Sequence, residues 1–322
     1  MKISHFFSAL IVSLAFAAGA QAQYPGKPVR IVLPSSPGNS SDIMARLLGD
    51  RLSQTWGQPV VVENRPGADG RISAEAVAKS APDGHTLFLP NAGVITINPA
   101  LFGKMPYDPI KDFAPITQIA TIVIVLVAHP AVAANSVSEL VTLAKANPGR
   151  LHYASAGNSA GIPYLAGVLL RDKAGIDVVH VPYKANAQAE QDLLGGQIEF
   201  MYNTLAATLP HIKSGRLKAL AIVGSQRSRV LPGVPTLSET GYSGTEGDAW
   251  AGLFAPGGTP RAVVEKIYAD VAAVLQQAEV RERLTALGLN VVGNKPDEFA
   301  AVIKADTAKW AAVIRANNIK AD

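Results

Sequence analysis

Between residues 29 and 56 the hydrophobic rhythm of the chain changes once, and the change lays out a strand, a loop and a helix in succession. The apolar run 29–33 (VRIVL) suits a buried strand, and Pro34, Pro37 and Gly38 end it. Asn39, Ser40, Ser41 and Asp42 follow, all residues that favour a helix N-cap. Ile43, Leu47, Leu48, Leu52 and Trp56 then recur at helical spacing. A strand that turns through small residues into a helix presents unpaired N–H groups at the positive end of the helix dipole, where an anion can bind. Neither the lysine of a phosphate loop nor the G-x-G-x-x-G of a dinucleotide fold is present, so the anion indicated is not a nucleotide. Without a ligand, the same pattern is a capped βα turn.

The alternation continues along the chain. Strands are expected at 59–62, 86–89, 119–128, 151–154, 178–181, 198–202, 218–223 and 252–255. Helices are expected at 42–56, 72–80, 138–146, 163–174, 187–194 and 205–214, and a helical tail at 261–277, 280–287 and 297–317. Such alternation predicts an α/β fold whose parallel sheets are covered by helices on both faces. Two βα sets are expected, from residue 29 to about 112 and from about 125 to 224, followed by a link at 231–247 rich in Pro, Gly, Ser and Thr. The tail has apolar faces that it cannot cover alone, Trp310, Val313 and Ile314 among them, so it is expected to return to the first set. That arrangement makes two lobes around a hinged cleft: residues 23–124 with 245–322, and residues 125–244.

Composition narrows the function. Lys2, the apolar stretch 9–18 and Ala20-Gln21-Ala22 read as a signal peptide over residues 1–22, so export to a bacterial periplasm is expected. The absence of cysteine excludes disulfides and a lipidated cysteine. A formal charge of +4 is spread thinly with no basic run, so no nucleic-acid partner is indicated. His85, His129, His152, His180 and His211 lack paired ligand spacing, so neither a metal nor a cofactor is expected. Gly157-Asn158-Ser159-Ala160-Gly161 matches the G-x-S-x-G of a nucleophile elbow, with a strand before and a helix after. No oxyanion motif precedes it and no His follows an Asp in a hydrolase arrangement. An esterase using Ser159 is therefore the weaker reading, and no catalytic residue is expected.

Several runs, taken together, resemble one family. They are Tyr24-Pro25-Gly26-Lys27-Pro28, Asn64-Arg65-Pro66-Gly67-Ala68, Ala81-Pro82-Asp83-Gly84-His85-Thr86-Leu87 and Tyr107-Asp108-Pro109-Ile110-Lys111-Asp112-Phe113-Ala114-Pro115-Ile116. Val179-His180-Val181-Pro182-Tyr183-Lys184, Leu209-Pro210-His211-Ile212-Lys213-Ser214-Gly215 and Val234-Pro235-Thr236-Leu237-Ser238-Glu239-Thr240-Gly241 agree with them. In this order they resemble the Bug family, the periplasmic solute receptors of tripartite tricarboxylate transporters. The resemblance implies a type II periplasmic-binding-protein fold, with two lobes that close on a small organic carboxylate. It implies that backbone N–H groups and ordered water hold the carboxylate in place of an arginine clamp. The implied partners are the membrane subunits of such a transporter, and a freely diffusing receptor is expected to be a monomer. A receptor that shows its closed form to a membrane sensor is the alternative.

By position, the resemblance assigns ligand contacts to Ser36, Gly38, Asn39 and Ser40, to Ala68, Asp69, Gly70 and Arg71, and to Asn91 and Ala92. On the second lobe it assigns Ser155, Ala156, Gly157, Asn158, Ser159, Tyr164 and Asn203. The chain departs from the family's usual pattern at several of these. Asn39 replaces a second glycine, Tyr164 a frequent His and Asn203 a frequent Asp, while Asp69 and Arg71 stand where small or neutral residues are common. Arg71 and the neutral Asn203 are expected to favour a more anionic or bulkier carboxylate than an amino acid. Otherwise Arg71 pairs with Asp69 on the surface.

Overall fold

The computed structural model describes residues 24–155, 161–183 and 186–320. The expected signal peptide and the site residues Ala156, Gly157, Asn158 and Ser159 lie outside the described residues. The strands in chain order are β1 (Val29–Leu33), β2 (Val60–Asn64), β3 (Thr86–Phe88), β4 (Phe113–Ile122), β5 (Ile124–Ala128), β6 (His152–Ser155), β7 (Val179–His180), β8 (Phe200–Thr204), β9 (Lys218–Ile222), β10 (Ala249–Pro256) and β11 (Leu289–Val291). They form a six-stranded sheet, β11-β4-β10-β3-β1-β2, and a five-stranded sheet, β7-β6-β8-β5-β9.

Both sheets are mixed, which corrects the expectation of parallel sheets. β1 runs parallel to β2 and β3, but β10 lies antiparallel to β3 and β4, and β11 antiparallel to β4. In the second sheet β6 is parallel to β7 and β8, while β5 is antiparallel to β8 and β9. A helical crossover within one sheet is what forces neighbours to run parallel. β5 and β10 enter their sheets from the other lobe, so no such crossover sets their direction.

A second correction concerns the apolar run 119–128, expected as one strand. It is the end of β4 and the whole of β5, which belong to different sheets, with Val123 alone between them. Both strands are buried on both faces, so hydrophobicity carries no mark at the crossing. β11 was not expected; three residues are too few to show a period.

Helices Ser40–Trp56 and Arg261–Gln276 cover one face of the six-stranded sheet over Ile31, Leu33, Leu48, Ile267 and Val271. On its other face Phe299, from the last helix (Pro296–Ala316), lies between the rings of Trp250 at 5.1 Å and Phe254 at 5.2 Å. The tail therefore does return to the first sheet. Trp250 Nε1 donates to the Asp306 carboxylate at 2.8 Å. Burial, with Asp248 nearby, holds the Asp306 carboxyl above the usual carboxylate range. On the five-stranded sheet, Leu126, Tyr153, Phe200 and Tyr202 pack with helices Val137–Ala146 and Ile162–Ala174.

The return crossing is tight. Gly247 N–H donates to Val223 O at 3.0 Å, and a Cβ on Gly247 would lie 2.8 Å from Ile162 Cγ2 and 2.9 Å from Trp310 Cη2. Only a residue without a side chain passes between the two lobes here.

Phe299 is wholly buried, and Phe299→Ala should cost about 3–5 kcal/mol through the lost ring and the cavity left behind. Urea unfolding should show a lower midpoint at an unchanged m-value.

Candidate functional site

A cleft of about 490 Å³ opens between the lobes. One wall carries Pro34, Asn39, Gly67, Asp69, Gly70, residues 91–94 and Asn98 from the first lobe, and the opposite wall Gly161, Ile162, Pro163 and Thr204 from the second. Ile122, Ile124 and Ala249, at the crossings, close the floor. Among the described residues that line it there is no Lys, Arg or His.

Helix N-termini point at this space from both sides. Ser40–Trp56 starts at Asn39, whose extended backbone (φ −82°, ψ 170°) lets its side-chain oxygen accept from Asp42 N–H at 2.9 Å. The Asp42 carboxylate in turn accepts from Gly38 N–H at 2.9 Å, from Asn64 Nδ2 at 2.9 Å and from the Arg46 guanidinium at 2.9 Å. Arg46 and these N–H donors lower its pKa to about 2 against the opposing effect of burial. The first loop is thus partly occupied by an anion of the chain's own.

The loop that follows β2 is a left-handed turn. Gly67, Ala68, Asp69 and Gly70 have φ of 120°, 46°, 53° and 82°. For Ala68 and Asp69 this costs on the order of 1–2 kcal/mol each. Asn98 Nδ2 holds the turn by donating to Asp69 O at 2.8 Å, and Ser73 Oγ by donating to Gly70 O at 2.8 Å. Gly70 must be glycine for two reasons: its positive φ, and a Cβ that would sit 2.6 Å from Val94 Cγ2. The loop that follows β3 enters a π-helical turn, Gly93–Ile97, with Val94 N–H donating to Asn91 Oδ1 at 3.3 Å. Across the cleft, Ile162–Ala174 begins at Gly161 with no side-chain cap and no acidic residue in its first turn. Pro163 has no N–H, so Ile162 and Tyr164 supply the donors there.

The tripartite tricarboxylate transporter family receptors match this chain over residues 44–319. The chain belongs to that receptor family. BugT of Bordetella pertussis is 35% identical over 314 residues, covering 96% of this chain and 95% of BugT. Among solved structures, R. palustris Rpa4515 with adipate is 31% identical with a TM-score of 0.81, covering 92% of this chain and 99% of that one. MatC from Rhodopseudomonas palustris with bound malate is 35% identical with a TM-score of 0.76, covering 90% and 100%. This family member is therefore a periplasmic solute-binding receptor with an α/β two-lobe binding-protein fold, and not an enzyme. Among the described residues no group of three His, Asp or Glu side chains could hold a metal ion.

Of the residues singled out from sequence, Asn39, Asp69, Gly70, Asn91 and Ala92 are brought together in the first-lobe wall. Gly38 spends its N–H on Asp42, and Ser36, Ser40 and Ala68 adjoin the wall along the chain without lining it. Arg71 is turned aside: its Nε donates to Ala68 O at 3.0 Å, and its guanidinium lies 3.8 Å over the Phe102 ring. Stacking and a carbonyl, rather than the cleft, engage that charge. Asn203 is wholly buried and accepts from Thr204 N–H at 2.7 Å and Asn186 Nδ2 at 3.1 Å, so its neighbour Thr204 takes the place in the wall. Ser155 Oγ lies 3.0 Å from His180 Nε2, and the Tyr164 ring packs on His180 at 4.8 Å; neither Ser155 nor Tyr164 lines the cleft.

Sequence reasoning missed Asn98, Ile162, Pro163, Thr204 and the floor. Gly161 followed by an apolar residue and Pro163 is a legible helix start and could have marked the second wall. The floor had no such signal, because Ile122 and Ile124 lie within the largely apolar run 119–128.

Asp42→Asn should lower stability by about 1–2 kcal/mol at pH 7 through weakened charge-assisted bonds. A depressed carboxylate stabilises above its unfolded pKa of about 3.9 and loses that contribution as pH falls through about 2. Thermal midpoints of the two proteins should therefore differ at pH 7 and converge as the pH approaches 2. Arg71→Ala should leave ligand affinity within about twofold by calorimetry, as expected for a charge outside the cleft; a tenfold loss would return Arg71 to the site.

Proposed function

We propose that this receptor captures a small organic carboxylate in the cleft and hands it to the membrane subunits of a tripartite tricarboxylate transporter. The observation that carries the reading is the convergence of helix N-termini from both lobes on a space lined, among the described residues, by no basic side chain. N–H groups and helix dipoles stabilise an anion without a charged partner. A carboxylate touching both walls stabilises the closed arrangement by contacts that the open one lacks. Two related receptors, one with adipate and one with malate, support the same ligand chemistry.

On this reading the working protein is a monomer of residues 23–322, exported by a signal peptide cleaved after residue 22. Its lobes are 23–124 with 245–322, and 125–244. The contacts proposed are the N–H groups around Asn39, Gly70 and residues 91–93, facing those of Gly161 and Ile162.

A thermal-shift panel of carboxylates, amino acids and sugars, run on protein refolded free of carried-over ligand, tests the chemistry. A carboxylate at a hundred times its Kd should stabilise by about 2.7 kcal/mol and raise the midpoint, and sugars should not. Stabilisation by sugars alone sinks the proposal. Gly161→Asp, which sets a carboxylate at the second wall, should weaken the best carboxylate at least tenfold. The liganded form should be retained by the transporter's membrane subunits; retention by a sensor ectodomain instead would make this a signalling receptor.

A further inference from the structure

The walls of the cleft are not uniform in chemistry. Asn39, Asp69 and Asn91 are exposed and form its rim. Further in, the buried side chains of the lining are Ala92, Val94, Asn98, Ile124, Ile162 and Pro163, and only Asn98 among them is polar. The half-buried floor residues Ile122 and Ala249 are apolar as well, and they face each other in the β4–β10 pairing. Among the described residues the interior therefore takes up apolar surface, and the buried Asn98 and the half-buried Thr204 are its polar side chains.

Resting on the carboxylate reading above, we infer that the ligand is a carboxylate with an apolar body, an unsubstituted alkyl chain or ring. Polyhydroxy acids and tricarboxylates are disfavoured. The carboxylate meets the N–H groups at the helix starts, and the body lies over Ile122, Ile124 and Ala249 against Val94 and Ile162. Each methylene moved from water onto this surface gains affinity, whereas each hydroxyl placed there loses its water without a partner. Two exceptions are built in, the Thr204 hydroxyl on the second wall and Asn98 on the first. Asn98 Nδ2 is engaged by Asp69 O, and Asn98 Oδ1 is a buried acceptor with no protein partner, so a single donor is accommodated there. Because Asp69 O can only accept, the amide orientation is settled and the unpartnered atom is the oxygen. Beyond Asn98 Oδ1 and the Thr204 hydroxyl, the further hydroxyls of a polyhydroxy acid find no side-chain partner among the described lining residues of the interior. Ile122, Ile124 and Ala249 are then specificity-determining residues that act through apolar contact.

Calorimetry on the purified protein with matched acids tests this. Along butanoate, pentanoate and hexanoate the affinity should rise about fourfold per methylene, with increasingly negative heat-capacity changes. Hexanoate should bind at least thirtyfold more tightly than gluconate, which has the same six-carbon chain, and cyclohexanecarboxylate correspondingly more tightly than quinate. Citrate should bind more weakly than hexanoate. Ile122→Thr keeps a β-branched side chain on the strand and should shrink the hexanoate-to-gluconate ratio at least fivefold; the unsubstituted protein's own series decides the matter if the variant does not fold. A flat methylene series, or gluconate, quinate or citrate binding as well as the apolar acids, overturns the inference and leaves the carboxylate reading standing. Failure of every carboxylate to bind removes both.

Discussion

Two chain crossings lie side by side, and the positions of both lobes follow from them. At Val123 the chain passes from one sheet to the other with a single residue between strands, and at Gly247 it comes back. Main-chain bonds tie the crossings to their surroundings: Leu205 N–H to Val123 O at 2.8 Å, Gly247 N–H to Val223 O at 3.0 Å, and the register of Ile122 against Ala249. Buried backbone groups must be paired, so these bonds leave the chain little choice of path. The sheets are thereby held so that the carboxyl ends of β1, β2, β3 and β6 open on one space. In an α/β sheet that is where helices begin and where ligands collect.

Much of this was legible from the sequence, and the reason is local. β1 and the helices Ser40–Trp56 and Ile162–Ala174 each carry a clear period bounded by Pro, Gly or a capping residue, and they fall within two residues of expectation. Lobe boundaries were expected at 124/125 and 244/245, but the change of sheet within the run 119–128 was not legible. β4 and β5 share one apolar run, since each strand is covered on both faces, and a change of sheet leaves no trace in such a run. Strand direction was hidden for a related reason: β5 and β10 take theirs from the far lobe. The site divided in the same way. Asn39, Gly70 and Asn91, assigned by the resemblance, fall in the lining of the cleft, whereas Arg71 and Asn203, assigned in the same way, are engaged elsewhere, with Phe102 and with Asn186 and Thr204. Residue type says what a side chain can do; only packing says which way it points.

The two walls differ in electrostatics. On the first lobe, Asp42 sits in the opening turn of its helix and offsets part of the positive end, while the left-handed turn at Gly67–Gly70 is held by Asn98 and Ser73 at a cost in backbone strain. On the second lobe, the helix that starts at Gly161 has no acidic residue in its first turn.

Main-chain donors also bear on how such a receptor changes over generations. An N–H group is the same whatever residue carries it, so ordinary side-chain substitutions leave the means of holding an anion in place, provided the helix starts and the left-handed turn survive. On the proposed reading, the floor residues Ile122, Ile124 and Ala249 meet the ligand only through shape and apolar surface. A lineage built on this plan can exchange one acid for another by small steps in the floor and keep a working receptor at every step.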